Sequence, residues 1–134
     1  MTPDICQVKH DPPNSYGDCV RACVASLLDL PTLEVPHFVR DGAPGHVMQQ
    51  RMREWLAPRG LVPMFSGFPA SDTPDPVLEF MGAENPGVPY ILFSADHAVV
   101  CRGGEVMHNP AWVRTALVPP ADMWCIVTLV ALCE

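Results

Sequence analysis

The chain is poor in charge. Charged residues make up 17 % of it, and eight lysines and arginines face fifteen acids, for a net charge of −7. No broad basic surface can be assembled from so few cations, which excludes the usual footprint of a nucleic-acid binder. Arg51, Arg53 and Arg59 fall together on one predicted helix and read as its solvated face. Long hydrophobic runs are also missing. The longest, Trp124 to Leu132, is about half the length a membrane span needs. The opening Met-Thr-Pro-Asp has neither the charged nor the apolar segment of a secretory leader. A cytoplasmic protein that does not engage a membrane is therefore expected. The chain has no Cys-x-x-Cys pair and no Cys/His quartet with finger-like spacing, so a structural zinc is not expected. Without a leader, Cys6, Cys19, Cys23, Cys101, Cys125 and Cys133 read as thiols. There is no internal repeat and no low-complexity tract.

What is present suits a single domain over residues 1–134. The chain is 49 % hydrophobic, and at this length it can bury a core without staples. Sixteen prolines imply short elements joined by rigid connections.

The clearest element begins after Gly17-Asp18. Val20, Cys23, Val24, Leu27 and Leu28 follow the spacing of a buried amphipathic helix. Asp18 is a suitable N-cap and Pro31 ends the run. Before this helix, residues 4–9 alternate as a short strand, with Ile5 and Gln7 on one face and Cys6 and Val8 on the other. Residues 10–17 form a loop. A second helix is predicted over about His46 to Ala57, closed by Pro58 and Gly60. A short strand follows at Leu61–Phe65, then a third helix near Thr73–Met81 with proline in its first turn. The period then changes. Val88–Ala95 is apolar and extended, and His97–Arg102 with Glu105–Asn109 flank Gly103-Gly104 as a hairpin. Pro110–Pro120 is irregular. Trp124–Leu132 reads as an interior strand. Helices first and strands last predict an α+β fold.

Cys19 sits in the first turn of the first helix, off the centre of the apolar stripe. Unpaired backbone N–H groups and the positive helix end lie there, which is where a thiolate is most easily held. Its pKa is accordingly expected below the ordinary value of about 8.5. Cys23 lies on the stripe and reads as core. Of the five histidines, only His97 and His108 lie in the predicted sheet; His10, His37 and His46 are in loops or at a helix start. A cysteine nucleophile needs a base, a group that orients the base, and donors for an oxyanion. His97, Asn109, and the Gln7 amide with the Cys19 backbone N–H are the candidates. The hairpin makes a geometric demand. A regular two-residue turn would put His108 on the face of His97, whereas a one-residue shift near residues 102–105 brings Asn109 there.

These features resemble the papain-like cysteine peptidases, and most closely the small bacterial and phage proteins similar to bacteriocin-leader-processing (C39-like) peptidases. The resemblance rests on Gln7, on Gly17-Asp18-Cys19 followed by Ala22, Ala25, Ser26, Leu27 and Leu28, on Glu34-Val35-Pro36-His37-Phe38, and on His97-Ala98-Val99-Val100 followed by His108-Asn109-Pro110. One departure is the loop containing Asp11-Pro-Pro-Asn, which lengthens the connection between Gln7 and Cys19. The resemblance implies a catalytic helix packed on a C-terminal antiparallel sheet. It also implies cleavage of a peptide or related amide through a Cys19 acyl-enzyme, with His97 as base, Asn109 as its orienter and Gln7 supporting the oxyanion. The expected partner is a peptide or protein substrate, with no cofactor and no metal. Three alternatives share these residues: an acyltransferase using the same thioester, a non-catalytic binding module on the same cleft, and a redox pair of Cys19 and Cys23.

Overall fold

The computed structural model describes residues 5–111 and 117–132. Helices α1 (Cys19–Leu28), α2 (Gly45–Leu56) and α3 (Asp75–Glu84) accompany strands β1 (Leu61–Pro69), β2 (Pro89–Phe93), β3 (Ala98–Arg102), β4 (Glu105–His108) and β5 (Met123–Ala131). The strands form one antiparallel sheet in the order β1-β5-β2-β3-β4. The fold is α+β. Among the described residues no helix is long and apolar enough to cross a membrane.

The sheet is covered on both faces, and strand alternation decides which residue serves which side. Ile91, Ala98, Val100 and Val127 join Val20, Cys23 and Val24 of α1 and Met52 and Leu56 of α2 in one core. Tyr90, Leu92, Val99, Cys101, Trp124 and Ile126 pack with Val77 and Met81 of α3 in the other. Cys23 is fully buried, as expected of a stripe residue. α1 ends at Asp29, whose left-handed φ of 56° lets the Leu30 N–H reach the Ala25 carbonyl at 3.0 Å. That closure precedes Pro31 and terminates the helix by itself.

Two elements differ from expectation. β1 runs four residues further than its propensity suggests, through Ser66-Gly67-Phe68-Pro69. Its whole length pairs with β5 from Leu61↔Ala131 to Pro69↔Met123, so pairing overrides local preference. β1 is an edge strand, where Pro63 and Pro69 are tolerated. The strand expected over residues 4–9 does not form in its described part, 5–9; Asp4 lies outside the described residues. The Cys6 N–H donates to the Pro110 carbonyl at 2.8 Å, and the next two N–H groups turn to a side chain. Part of the irregular stretch 110–120, residues 112–116, and the sixth cysteine, Cys133, also lie outside the described residues. The five described cysteines are free thiols.

The hairpin turn is the regular two-residue one. Arg102 pairs with Glu105 and Cys101 with Val106, but Val100 then pairs with His108. Met107 is the extra residue. The one-residue shift therefore exists, but it lies in the strand and not beside the glycines. β4 is the other edge of the sheet, where an unpaired residue disrupts a ladder on one side only. Gly103 is fixed for a different reason. Its φ is +56°, and a Cβ there would lie 2.8 Å from the Pro86 carbonyl oxygen. Its own carbonyl accepts the Tyr90 hydroxyl at 2.7 Å.

Candidate active site

A cleft of about 570 Å³ opens where α1 begins and where β2 turns into β3, and both Cys19 and His97 line it. Val20, Met48 and Phe93 line it too while packing against the α1/α2 core. One wall of the cleft is thus the edge of that core.

His97 is delivered by a tight turn. The Ser94 N–H donates to the His97 carbonyl at 2.9 Å, and Ser94 Oγ accepts the His97 N–H at 3.1 Å. At the far edge Asn109 follows the bulged strand. Its Oδ1 lies 2.6 Å from His97 Nε2 and accepts the Ala111 N–H at 3.1 Å. A backbone donor on Oδ1 identifies that atom as the amide oxygen, so Nε2 must carry the ring proton. Nδ1 is then the basic nitrogen. Asn109 thus fixes both the orientation and the tautomer of His97. His108, opposite Val100, sits on the other face by alternation.

Cys19 is the first residue of α1. Burial pushes its thiol up, the Ala98 and Val20 backbone N–H groups on the sulfur oppose that, and the neighbouring Asp18 charge adds to it. The net direction is upward, which reverses the expectation of an acidified thiol. A partly enclosed sulfur beside a carboxylate loses more by desolvation and repulsion than the helix end returns. The same Ala98 N–H contact places the sulfur against the residue that follows His97. Cys23 is further from chemistry: burial holds its thiol well above the ordinary value, which leaves a Cys19–Cys23 redox pair without an accessible second sulfur.

Gln7 is not brought to the cleft. It is exposed, and its side-chain amide donates to the Ile5 carbonyl at 3.1 Å. The alternation read from the sequence explains this: Cys6 and Val8 line the cleft, so Gln7 between them points outward. Its expected oxyanion role is withdrawn. What remains for an oxyanion are backbone N–H groups at the start of α1, where Asp18 provides no side-chain cap.

Asp18 departs from its expected role. Its carboxylate is fully buried and accepts the Gln7 N–H at 2.9 Å and the Val8 N–H at 3.0 Å. Arg21 lies 3.6 Å from it and donates through Nε to the Thr32 and Val35 carbonyls at 2.9 and 2.6 Å. Two histidines read as loop residues turn out to brace the loop before α1. His10 Nδ1 accepts the Gly17 N–H at 3.1 Å, and His37 Nε2 lies 2.7 Å from the Tyr16 carbonyl. Neither Ser94 nor Asp18 was assigned these roles from the sequence. The signal for Ser94 was its place in the short Ser-Ala-Asp connection before His97.

No family model, no curated protein and no solved structure matches this chain. Function has to be argued from the site. Among the described residues there is no group of three His, Cys, Asp or Glu side chains that could hold a metal ion.

Proposed function

We propose that the chain is a cysteine hydrolase of papain-like design that cleaves a peptide or related amide bond in the cytoplasm. The observation that carries this is the 2.6 Å contact of Asn109 with His97, which lines the same cleft as Cys19. An oriented imidazole with its basic nitrogen available, beside a thiol at a helix start, is the minimum apparatus of acyl transfer to sulfur. Because burial keeps the resting thiol protonated, His97 acts as general base during the attack rather than holding a preformed ion pair.

In the first half-reaction Cys19 passes its proton to His97 Nδ1 as sulfur bonds to the carbonyl carbon. The oxyanion faces the backbone N–H groups at the start of α1. The C–N bond then breaks, and the leaving amine takes the proton from His97. In the second half-reaction water loses a proton to His97 and attacks the thioester. The acid product departs and the proton returns to sulfur. An amine in place of that water would give acyl transfer.

The test is intact-mass analysis after a substoichiometric dose of iodoacetamide at neutral pH. A single adduct on Cys19 is expected. Cys19→Ala should abolish both the adduct and amide cleavage while remaining folded. Cys23→Ala should cost about 1 kcal/mol of stability and keep the adduct. Uniformly slow labelling of all thiols would favour a non-catalytic binding module.

A further inference from the structure

We propose that Asp18 is a positioning residue whose buried carboxylate clamps residues 6–8 to the start of α1, so that the nucleophile and the orienter of the base hang from one closed ring of contacts. The inference rests on the cysteine-hydrolase reading of the cleft. The ring can be followed atom by atom. Cys19 is joined covalently to Asp18, and Asp18 accepts the N–H groups of Gln7 and Val8. Gln7 is joined to Cys6, whose N–H donates to the Pro110 carbonyl at 2.8 Å. Pro110 is joined to Asn109, which holds His97 at 2.6 Å. His97 is joined to Ala98, whose N–H rests on the Cys19 sulfur. Asp18 is the one carboxylate in the ring.

A fully buried carboxylate is costly unless its acceptor sites are filled. Here two backbone donors fill them, and Arg21 is itself anchored by the carbonyls of residues 32–35. The side chain does not cap its own helix, so its buried position serves residues 7 and 8 instead. The clamp has a chemical cost: a negative charge sits beside a thiol that must ionise, and it raises that thiol. Retaining the charge at that place makes sense if the geometry it enforces is worth more than the acidity it removes. The other titratable groups around the sulfur are Cys6 and Cys23, and His97, Lys9, His10, Tyr16 and Asp96 around the cleft.

The two effects of Asp18 can be separated. The probes are steady-state turnover of p-nitrophenyl acetate per folded molecule and the pH profile of Cys19 alkylation by iodoacetamide, read by intact mass. Asp18→Asn should lower kcat about a hundredfold with little change in KM, the scale expected when reacting groups shift by about an ångström. Its alkylation midpoint should nevertheless move to lower pH, because the neighbouring charge is gone. Gln7→Pro removes one clamped N–H and keeps the charge; it should lower kcat without lowering the midpoint. The clamp is wrong if Asp18→Asn turns over within about twofold of the parent. Should Asp18→Asn fail to fold, Gln7→Pro decides alone, and unchanged turnover overturns the proposal. Should the parent not turn over the ester, the hydrolase reading falls; the clamp then stands or falls on amide hydrogen exchange at residues 7 and 8, and protection unchanged in Asp18→Asn overturns it.

Discussion

The two faces of the sheet are built from the same kinds of residue and end differently. On the α3 face, Trp124 and Tyr90 are fully buried, each with its polar atom paired, to Ser71 Oγ at 2.9 Å and to the Gly103 carbonyl at 2.7 Å. Cys101 lies among them, and burial pushes its thiol up to about 12. On the α1/α2 face the core thins at the start of α1, and Cys19 meets both solvent and three backbone N–H groups, its own included. Chemistry therefore follows the place where a core is left incomplete, and not the residue type. A cysteine in a closed layer is packing; the same side chain at the open edge, with donors aimed at it, is a nucleophile in waiting.

The largest effect expected from breaking this contrast is on the closed face. Trp124→Ala should cost about 3–5 kcal/mol, read as a shift in urea midpoint, while Cys19 labelling per folded molecule stays near the parent's. A loss under about 1 kcal/mol would mean the α3 layer is not a closed core. Next is the open face. Asn109→Ala leaves the His97 ring free to turn and should lower turnover about a hundredfold, with stability nearly unchanged; a parental rate would remove Asn109 from the site.

Alkaline pH should sharpen the contrast further. The folded Cys101 thiol sits near 12, against about 8.5 in the unfolded chain. The native state then binds more protons than the unfolded one in between, so stability is full below about 8.5 and falls as pH rises toward 12. Urea midpoints at pH 7 and pH 10 should show the fall, and Cys101→Ala should make it shallower. The buried Cys6 and Cys23 thiols, also pushed up by burial, contribute to the rest. A slope identical to the parent's would rule Cys101 out as a contributor. The smallest effect belongs to Gln7→Ala. The side chain is exposed and away from the cleft, so kcat and KM should both match the parent. A hundredfold loss would return Gln7 to the oxyanion site.

How much of this could be read beforehand depended on whether a feature is local. The α1 stripe, the position of Cys19 at its start and the helix near residues 46–57 follow from periodicity and capping alone. The pairing of His97 with Asn109 was stated as a demand on register, and the distance meets it. The location of the bulge was missed, because two glycines suggest a loose turn while nothing in Glu105-Val-Met-His announces that Met107 will be skipped. Asp18 was misread because capping is a local rule, and a partner eleven residues away in sequence took the carboxylate instead. Gln7 was placed at the oxyanion because alternation separated it from Cys6 and Val8 without telling which pair faces the cleft; the structure gives the cleft to Cys6 and Val8. The extent of β1 depended on its partner β5, which lies far along the chain.

Met107 makes the identity of the group beside His97 a matter of register. Paired without a skip, Met107 would face Val100 and His108 would face Val99, which brings His108 to the side of His97 and turns Asn109 away. Skipping one residue sets that register back by a step, so an amide that never ionises stands beside the base where an imidazole would otherwise stand. Deleting Met107 would leave His108 opposite Val100 and Asn109 in place. The site thus reads the number of paired positions in the hairpin and not the number of residues, and a strand one residue shorter would reach the same geometry with no bulge at all.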